Sequence, residues 1–174
     1  YVPSMRNGSA VSDPPEDRGN AILSTLPLQA PVALELPVER QRRVAAAATV
    51  QGTTTRGRDW SLQLVTVHLE NRAAVEADGV LGVTGVAARG RQARWLLDNL
   101  PTAELSVLAG DLNTWVAEEH ERAAQKVLAR YPDTPAQPGG ATHVSHGIFR
   151  GRLDYIFGRV AGGSVARYAR APVS

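Results

Sequence analysis

The 174-residue chain reads as a single α/β (α+β) domain, a mixed or antiparallel β-sheet sandwich covered by helices. Three observations lead to that fold class. Short apolar runs outnumber stretches with helical periodicity. The two kinds of segment do not alternate strictly, as a doubly wound nucleotide fold requires. The run from Trp60 to Leu69 carries apolar residues on both faces, the pattern of a strand covered on both sides. A chain of this length buries roughly 70% of its unfolded surface without disulfide or metal staples.

Composition acts mainly by exclusion. Hydrophobic content of 43% and charged content of 21% are those of an ordinary globular domain. The net charge is +2, and the arginines are scattered among acids, with Lys126 the only lysine. Neither a polybasic tail nor a membrane-surface helix follows from that. Cysteine is absent, which removes disulfides, thiolate chemistry and cysteine-ligated zinc. No apolar run approaches the length of a bilayer span, and the first residues do not read as a signal peptide.

Taken in order, Tyr1 to Arg18 is rich in Ser, Gly, Asp and Pro and reads as loop. Asn7-Gly8-Ser9 is a glycosylation triplet of a kind common by chance. A loop this long ordinarily joins two elements, so further structure is expected ahead of Tyr1. Arg18 to Ser24 is a short strand after a glycine turn, closed by Pro27. Val32 to Leu36 and Arg43 to Val50 are further strands, although Ala47 and its neighbours fit a helix equally well. Gln51 to Asp59 is a hairpin connection into the strand Trp60 to Leu69. Glu70 to Gly85, with glycines at 79, 82 and 85, matches no dinucleotide turn and reads as a mobile connection. Ala87 to Leu100 is the clearest helix, with Ala88, Gln92, Trp95, Leu96 and Asn99 at helical spacing and Pro101 beyond its end. Leu105 to Ala109 is a buried strand, Ala117 to Ala129 a second helix, and Tyr131 to Gly140 a proline-rich loop. Arg152 to Phe157 and Val165 to Ala171 are the last strands.

The stretch Leu105 to Asn113 carries the sharpest chemical signal. A short apolar strand turns at Gly110 and presents Asp111 and Asn113, which project to one side if extended geometry persists. A carboxylate beside a neutral amide suits metal-assisted chemistry on a phosphate, one group handling water and the other an oxyanion. His68, near the end of its own strand, is either a half-buried histidine with a hydrogen-bond partner or a donor to phosphate that titrates near neutral pH. Asp154 alternates away from Leu153 and Tyr155. A buried carboxylate there needs Arg152, a histidine or a metal beside it. His143 and His146 read as lining a solvated loop, and Glu118-Glu119-His120-Glu121 as an exposed, acid-rich first turn of a helix. No nucleophile elbow and no Gly-rich phosphate loop is present.

Four segments stand in a telling order: RGNAILS (Arg18 to Ser24), TVHLE (Thr66 to Glu70), GDLN (Gly110 to Asn113) and RLDYIF (Arg152 to Phe157), with Arg91, Gln92 and Leu96 between the second and third. Together they resemble the endonuclease/exonuclease/phosphatase superfamily over about Arg18 to Phe157. The resemblance implies a four-layer sandwich of two packed mixed β-sheets flanked by helices, and hydrolysis of phosphoesters dependent on Mg2+, with Mn2+ as an alternative. By the same resemblance Asp111 orients or activates the attacking water and lies close to the metal. Asn113 bonds the phosphoryl oxygens, His68 donates to the scissile phosphate, and Asp154 orients a histidine further along. Asn20 matches a position near the site floor, where a structural, backbone-bonding role fits equally well.

Two departures qualify that picture. The family's early strand ending in Asn and its Gln-Glu strand, whose glutamate is a principal metal ligand, belong ahead of Tyr1. A Ser-Asp-His triplet belongs beyond Ser174. The expectation is a partial domain spanning 1–174, incomplete at both termini and nearly inactive alone, within a metal-dependent phosphoric ester hydrolase. Its expected partner is a phosphoester, with nucleic acid and a phospholipid headgroup among the classes left open. The competing expectation is a binding or scaffolding domain that keeps the fold without turnover.

Overall fold

The computed structural model describes residues 1–4, 18–71, 83–114, 121–134, 141–145 and 149–160. Its elements are β1 (Val2–Pro3), β2 (Gly19–Asn20), β3 (Gln29–Glu35), β4 (Val44–Thr53), β5 (Asp59–His68), α1 (Val83–Asn99), β6 (Leu105–Asp111), α2 (Arg122–Arg130), β7 (His143–Ser145), β8 (Phe149–Gly151) and β9 (Asp154–Val160). A five-stranded sheet in the order β3-β4-β5-β6-β9 forms the body, with β1-β2 and β7-β8 as two-stranded ribbons. All pairings in the large sheet are antiparallel except β5 with β6, which are parallel and joined through α1. The sheet is therefore mixed, as expected, and the α/β layering is consistent with the four-layer sandwich.

The alanine-rich segment is settled by pairing. Val44 to Thr53 bonds β3 on one side and β5 on the other, so tertiary contacts override the helical preference of alanine. Ala45 to Ala48 are all buried, and their small side chains let layers approach closely on both faces. The β4–β5 hairpin closes where the Gly57 amide donates to the Thr54 carbonyl at 2.9 Å. Gly57 has φ +73°, which only a residue without Cβ adopts cheaply.

Alternation along the strands then divides the sheet into two faces. Val65 and Val67 of β5, Leu108 of β6, and Tyr155 and Phe157 of β9 join Ala93 and Leu96 of α1 and Ala124 and Val127 of α2 in one core cluster. Helices thus cover one face. His68, Asp111 and Asp154 occupy the other parity and belong to the opposite face.

Two helix details differ from the sequence expectation. Val83 to Gly85 form the first turn of α1 rather than part of a connection. Residues 72–82, most of that expected connection, lie outside the described residues. Helix α2 begins at Arg122, and its N-cap Glu121 makes no side-chain capping bond. Glu121 is fully buried, not exposed, because its carboxylate accepts from Arg89 Nε at 3.2 Å and Nη2 at 2.5 Å. That pair clamps α1 to α2. Gly90 permits the approach, since a Cβ there would lie 3.1 Å from Arg122 Cβ. Strand β2 is confined to Gly19–Asn20, and β9 starts at Asp154 and runs to Val160. The expected strand Val165 to Ala171, and His120 and His146, fall outside the described residues. No helix among the described residues is long and apolar enough to cross a membrane.

Candidate functional site

The site is assembled by strand register. His68, the last residue of β5, is opposite Asp111, the last of β6, and Asp111 is opposite Asp154, the first of β9. Three of the sequence-predicted residues therefore form one row across adjacent strands at one end of the sheet. Gly110 makes this row possible. A Cβ there would sit 1.9 Å from the Val67 carbonyl oxygen, so any other residue would push β5 and β6 apart next to the row. The chain does not turn at Gly110, however, because β6 continues through Asp111.

The turn comes at Asn113, which adopts φ +53°. Extended geometry does not persist, and Asp111 and Asn113 do not project side by side. Instead the Asn113 amide N–H donates to Asp111 Oδ1 at 2.7 Å, an Asx-type turn that orients the carboxylate. The Asn113 side chain is buried and its Nδ2 donates to the Leu69 carbonyl at 2.8 Å. Leu69 N–H in turn donates to the Asp111 carbonyl at 2.9 Å. Asn113 thus ties the end of β5 to the end of β6.

Asp111 Oδ2 lies 3.5 Å from His68 Nε2, with side chains 29% and 31% exposed. Burial, opposed by the Asn113 N–H, pushes the Asp111 carboxyl up to about 6; Asp154 raises it further, while Arg43 and His143 lower it. Burial, reinforced by the charge of Arg43, lowers His68 to about 4 against the pull of Asp154 and Glu70. The expectation that His68 titrates near neutral pH is corrected accordingly: at pH 7 it is an uncharged imidazole facing an ionised carboxylate. Asp154 is exposed rather than buried, so solvent relieves the desolvation that prompted the search for a partner. Its backbone N–H donates to Thr142 Oγ1 at 3.0 Å.

Asn20 is buried and bonded to the backbone. Its Nδ2 donates to the Val44 carbonyl at 2.6 Å, while Val44 N–H donates to Ser4 Oγ at 2.9 Å. The β1-β2 ribbon thereby satisfies the start of β4.

Sequence reasoning missed a buried polar group beneath the row. Glu70 follows His68 by two residues, is fully buried, and accepts from the backbone N–H groups of Gln41 at 3.0 Å, Arg40 at 3.3 Å and Asn71 at 3.0 Å. Arg43, also fully buried, approaches Glu70 Oε1 to 3.7 Å through Nη2. Its Nε and Nη1 have no hydrogen-bond partner among the described residues. Gln92 of α1 completes the group, accepting from Glu70 N–H and donating to the Pro37 carbonyl, both at 2.9 Å. A glutamine among apolar residues at helical spacing was the available signal, since a buried amide needs partners.

No cluster of three or more His, Cys, Asp or Glu able to hold a metal occurs among the described residues. Asp111 and Asp154 nevertheless suit a hard cation. Mg2+ takes one or two carboxylates and fills its remaining positions with water and phosphate oxygens.

No protein-family model and no curated protein matches the sequence. Solved structures of the endonuclease/exonuclease/phosphatase family do match, and the likeness is one of fold. SmcL superposes with a TM-score of 0.54 at 14% identity, over 84% of this chain and 54% of its own. An endonuclease/exonuclease/phosphatase from Beutenbergia cavernae gives 0.46 at 21% identity, over 77% of this chain and 38% of that one. A humanized D. rerio TDP2 gives 0.48 at 18%, over 79% and 54%. The chain therefore spans about 38% to 54% of the length of these structures.

Proposed function

We propose that this chain carries part of a divalent-metal-dependent phosphoester hydrolase that uses water as nucleophile. The observation that carries the reading is the register-matched row His68–Asp111–Asp154, with Asp111 oriented by the Asn113 N–H. Mg2+, or Mn2+ in its place, would be held by Asp111 with Asp154 beside it, and when bound it supplies charge stabilisation to the phosphoryl oxygens. Asp111, ionised above about pH 6, accepts a proton from the attacking water and fixes its direction. His68, neutral at pH 7, donates an N–H to a phosphoryl oxygen without carrying charge. Asn113 acts chiefly through its backbone, holding Asp111 and the end of β5 in place. Asp154 aligns what lies at the β9 end of the row. The 174 residues alone are expected to bind the cation weakly and turn over slowly, because no group of three or more His, Cys, Asp or Glu able to hold a metal occurs among the described residues.

One observation favours a binding or scaffolding domain instead. The Asn113 amide expected to stabilise the oxyanion is buried and bonded to Leu69. The test is hydrolysis of an aryl phosphodiester, and then of DNA, RNA and phospholipid substrates. It is run with Mg2+ and with chelator, on the chain and on the longest natural protein containing it. Chelator-sensitive turnover lost in Asp111→Ala supports the hydrolase. A folded protein inert on all of these supports the binding domain.

A further inference from the structure

We propose that His143 is a substrate-binding residue, donating an N–H to an anionic phosphoryl oxygen from the β9 side of the row. The proposal rests on the phosphoesterase reading, but concerns a residue which the sequence assigned to a solvated loop.

The argument begins with Thr142. The β7-β8 ribbon is separate from the five-stranded sheet, yet it is pinned to the start of β9 through one hydroxyl. Thr142 Oγ1 accepts the backbone N–H groups of Leu153 at 2.9 Å and Asp154 at 3.0 Å. Thr142 N–H donates to the Gly151 carbonyl at 3.0 Å, and His143 is opposite Gly151 in the ribbon. His143 therefore begins one peptide from the group that holds Asp154, and Asp154 faces Asp111. Its side chain is exposed.

Charge distribution points the same way. Arg43 and His143 both act to lower the Asp111 carboxyl, against the burial that raises it. Arg43 is fully buried, whereas His143 is exposed. Two carboxylates at the end of the sheet repel the oxyanions of an arriving phosphoester, and donors are needed on the accessible side. The order β5-β6-β9 places Asp111 between His68 and Asp154. His68 supplies a donor from the β5 flank, and His143 supplies one from the flank beyond β9.

The test separates ligand binding from turnover. The chain has four histidines, whose ring C–H signals are followed by NMR as inorganic phosphate is added, with and without Mg2+. His143→Ala assigns the signal. The expected result is a saturable shift of the His143 signal, and a phosphate affinity about tenfold weaker in His143→Ala, the effect of losing one hydrogen bond to a charged group. An unmoved His143 signal overturns the proposal, whether or not His68 responds. If His143 responds but no phosphoester is hydrolysed, the hydrolase reading fails and the binding role stands. If hydrolysis depends on Mg2+ and His143→Ala leaves both KM and kcat unchanged, the binding role fails and the hydrolase stands.

Discussion

Replacing Glu121 with Gln tests whether the helix layer is held by the charge pair that crosses it. The Arg89 and Glu121 side chains are 2% and 0% exposed and meet through two hydrogen bonds. Glu121→Gln keeps the shape but leaves the guanidinium charge buried without its counter-charge. Removing one partner of such a pair costs about 3–5 kcal/mol, a large part of the roughly 5–15 kcal/mol that holds a domain together. With a urea m-value of about 2 kcal/mol/M, the unfolding midpoint should fall by about 2 M. The double variant Arg89→Met/Glu121→Leu removes both charges, and should be more stable than either single substitution. Equilibrium urea unfolding followed by circular dichroism reads all five proteins: the parent, Glu121→Gln, Arg89→Met, Glu121→Leu and the double variant. Glu121→Gln within about 0.5 kcal/mol of the parent, or additive losses in the double variant, would refute the reasoning.

Two further predictions concern the row itself. Gly110→Ala places a methyl group against the Val67 carbonyl, and should cost at least about 2 kcal/mol in urea unfolding while weakening the His68–Asp111 contact; a neutral effect would mean that β5 and β6 separate without cost. The pH dependence of stability has opposite signs at the two side chains. Asp111, raised to about 6, holds a proton in the folded state that the unfolded chain releases near 3.8, so its contribution is lost as pH rises through 6. His68, lowered to about 4, resists the proton that the unfolded chain takes up near 6.5, so stability falls as pH drops from 6.5 to 4. Asp111→Asn should therefore be more stable at pH 6 than at pH 4, and His68→Gln the reverse, as measured by urea unfolding. Slopes of the same sign in both variants would contradict the assignment.

What was legible in the sequence follows from which interactions are local. The row could be anticipated because each member closes or opens a short apolar strand, and strand ends converge where a sheet ends. Their alignment depends on register, which pairs His68 with Asp111 and Asp111 with Asp154 across long separations in sequence. The Ala45–Ala48 segment was ambiguous because alanine favours helix intrinsically, and only its two neighbouring strands decide the matter. Glu121 reads as surface charge because charged residues are rarely buried unless paired, and its partner Arg89 lies 32 residues away in the sequence. Arg43 and Glu70 were hidden for the same reason. Asn113 follows Asp111 by two residues, and its left-handed backbone conformation turns an amide expected to face a ligand into a bond with Leu69.

The central claim is that the row performs metal-assisted hydrolysis of a phosphoester, and its most direct test is Mg2+-dependent turnover of an aryl phosphodiester. The assay takes the parent, Asp111→Ala and His68→Ala, each confirmed folded, in the longest natural protein containing this chain. The account predicts chelator-sensitive activity in the parent, reduced by about 100-fold or more in both variants, the usual scale for losing an acid–base or electrostatic group. Activity that survives both substitutions, or that persists in chelator, would contradict it.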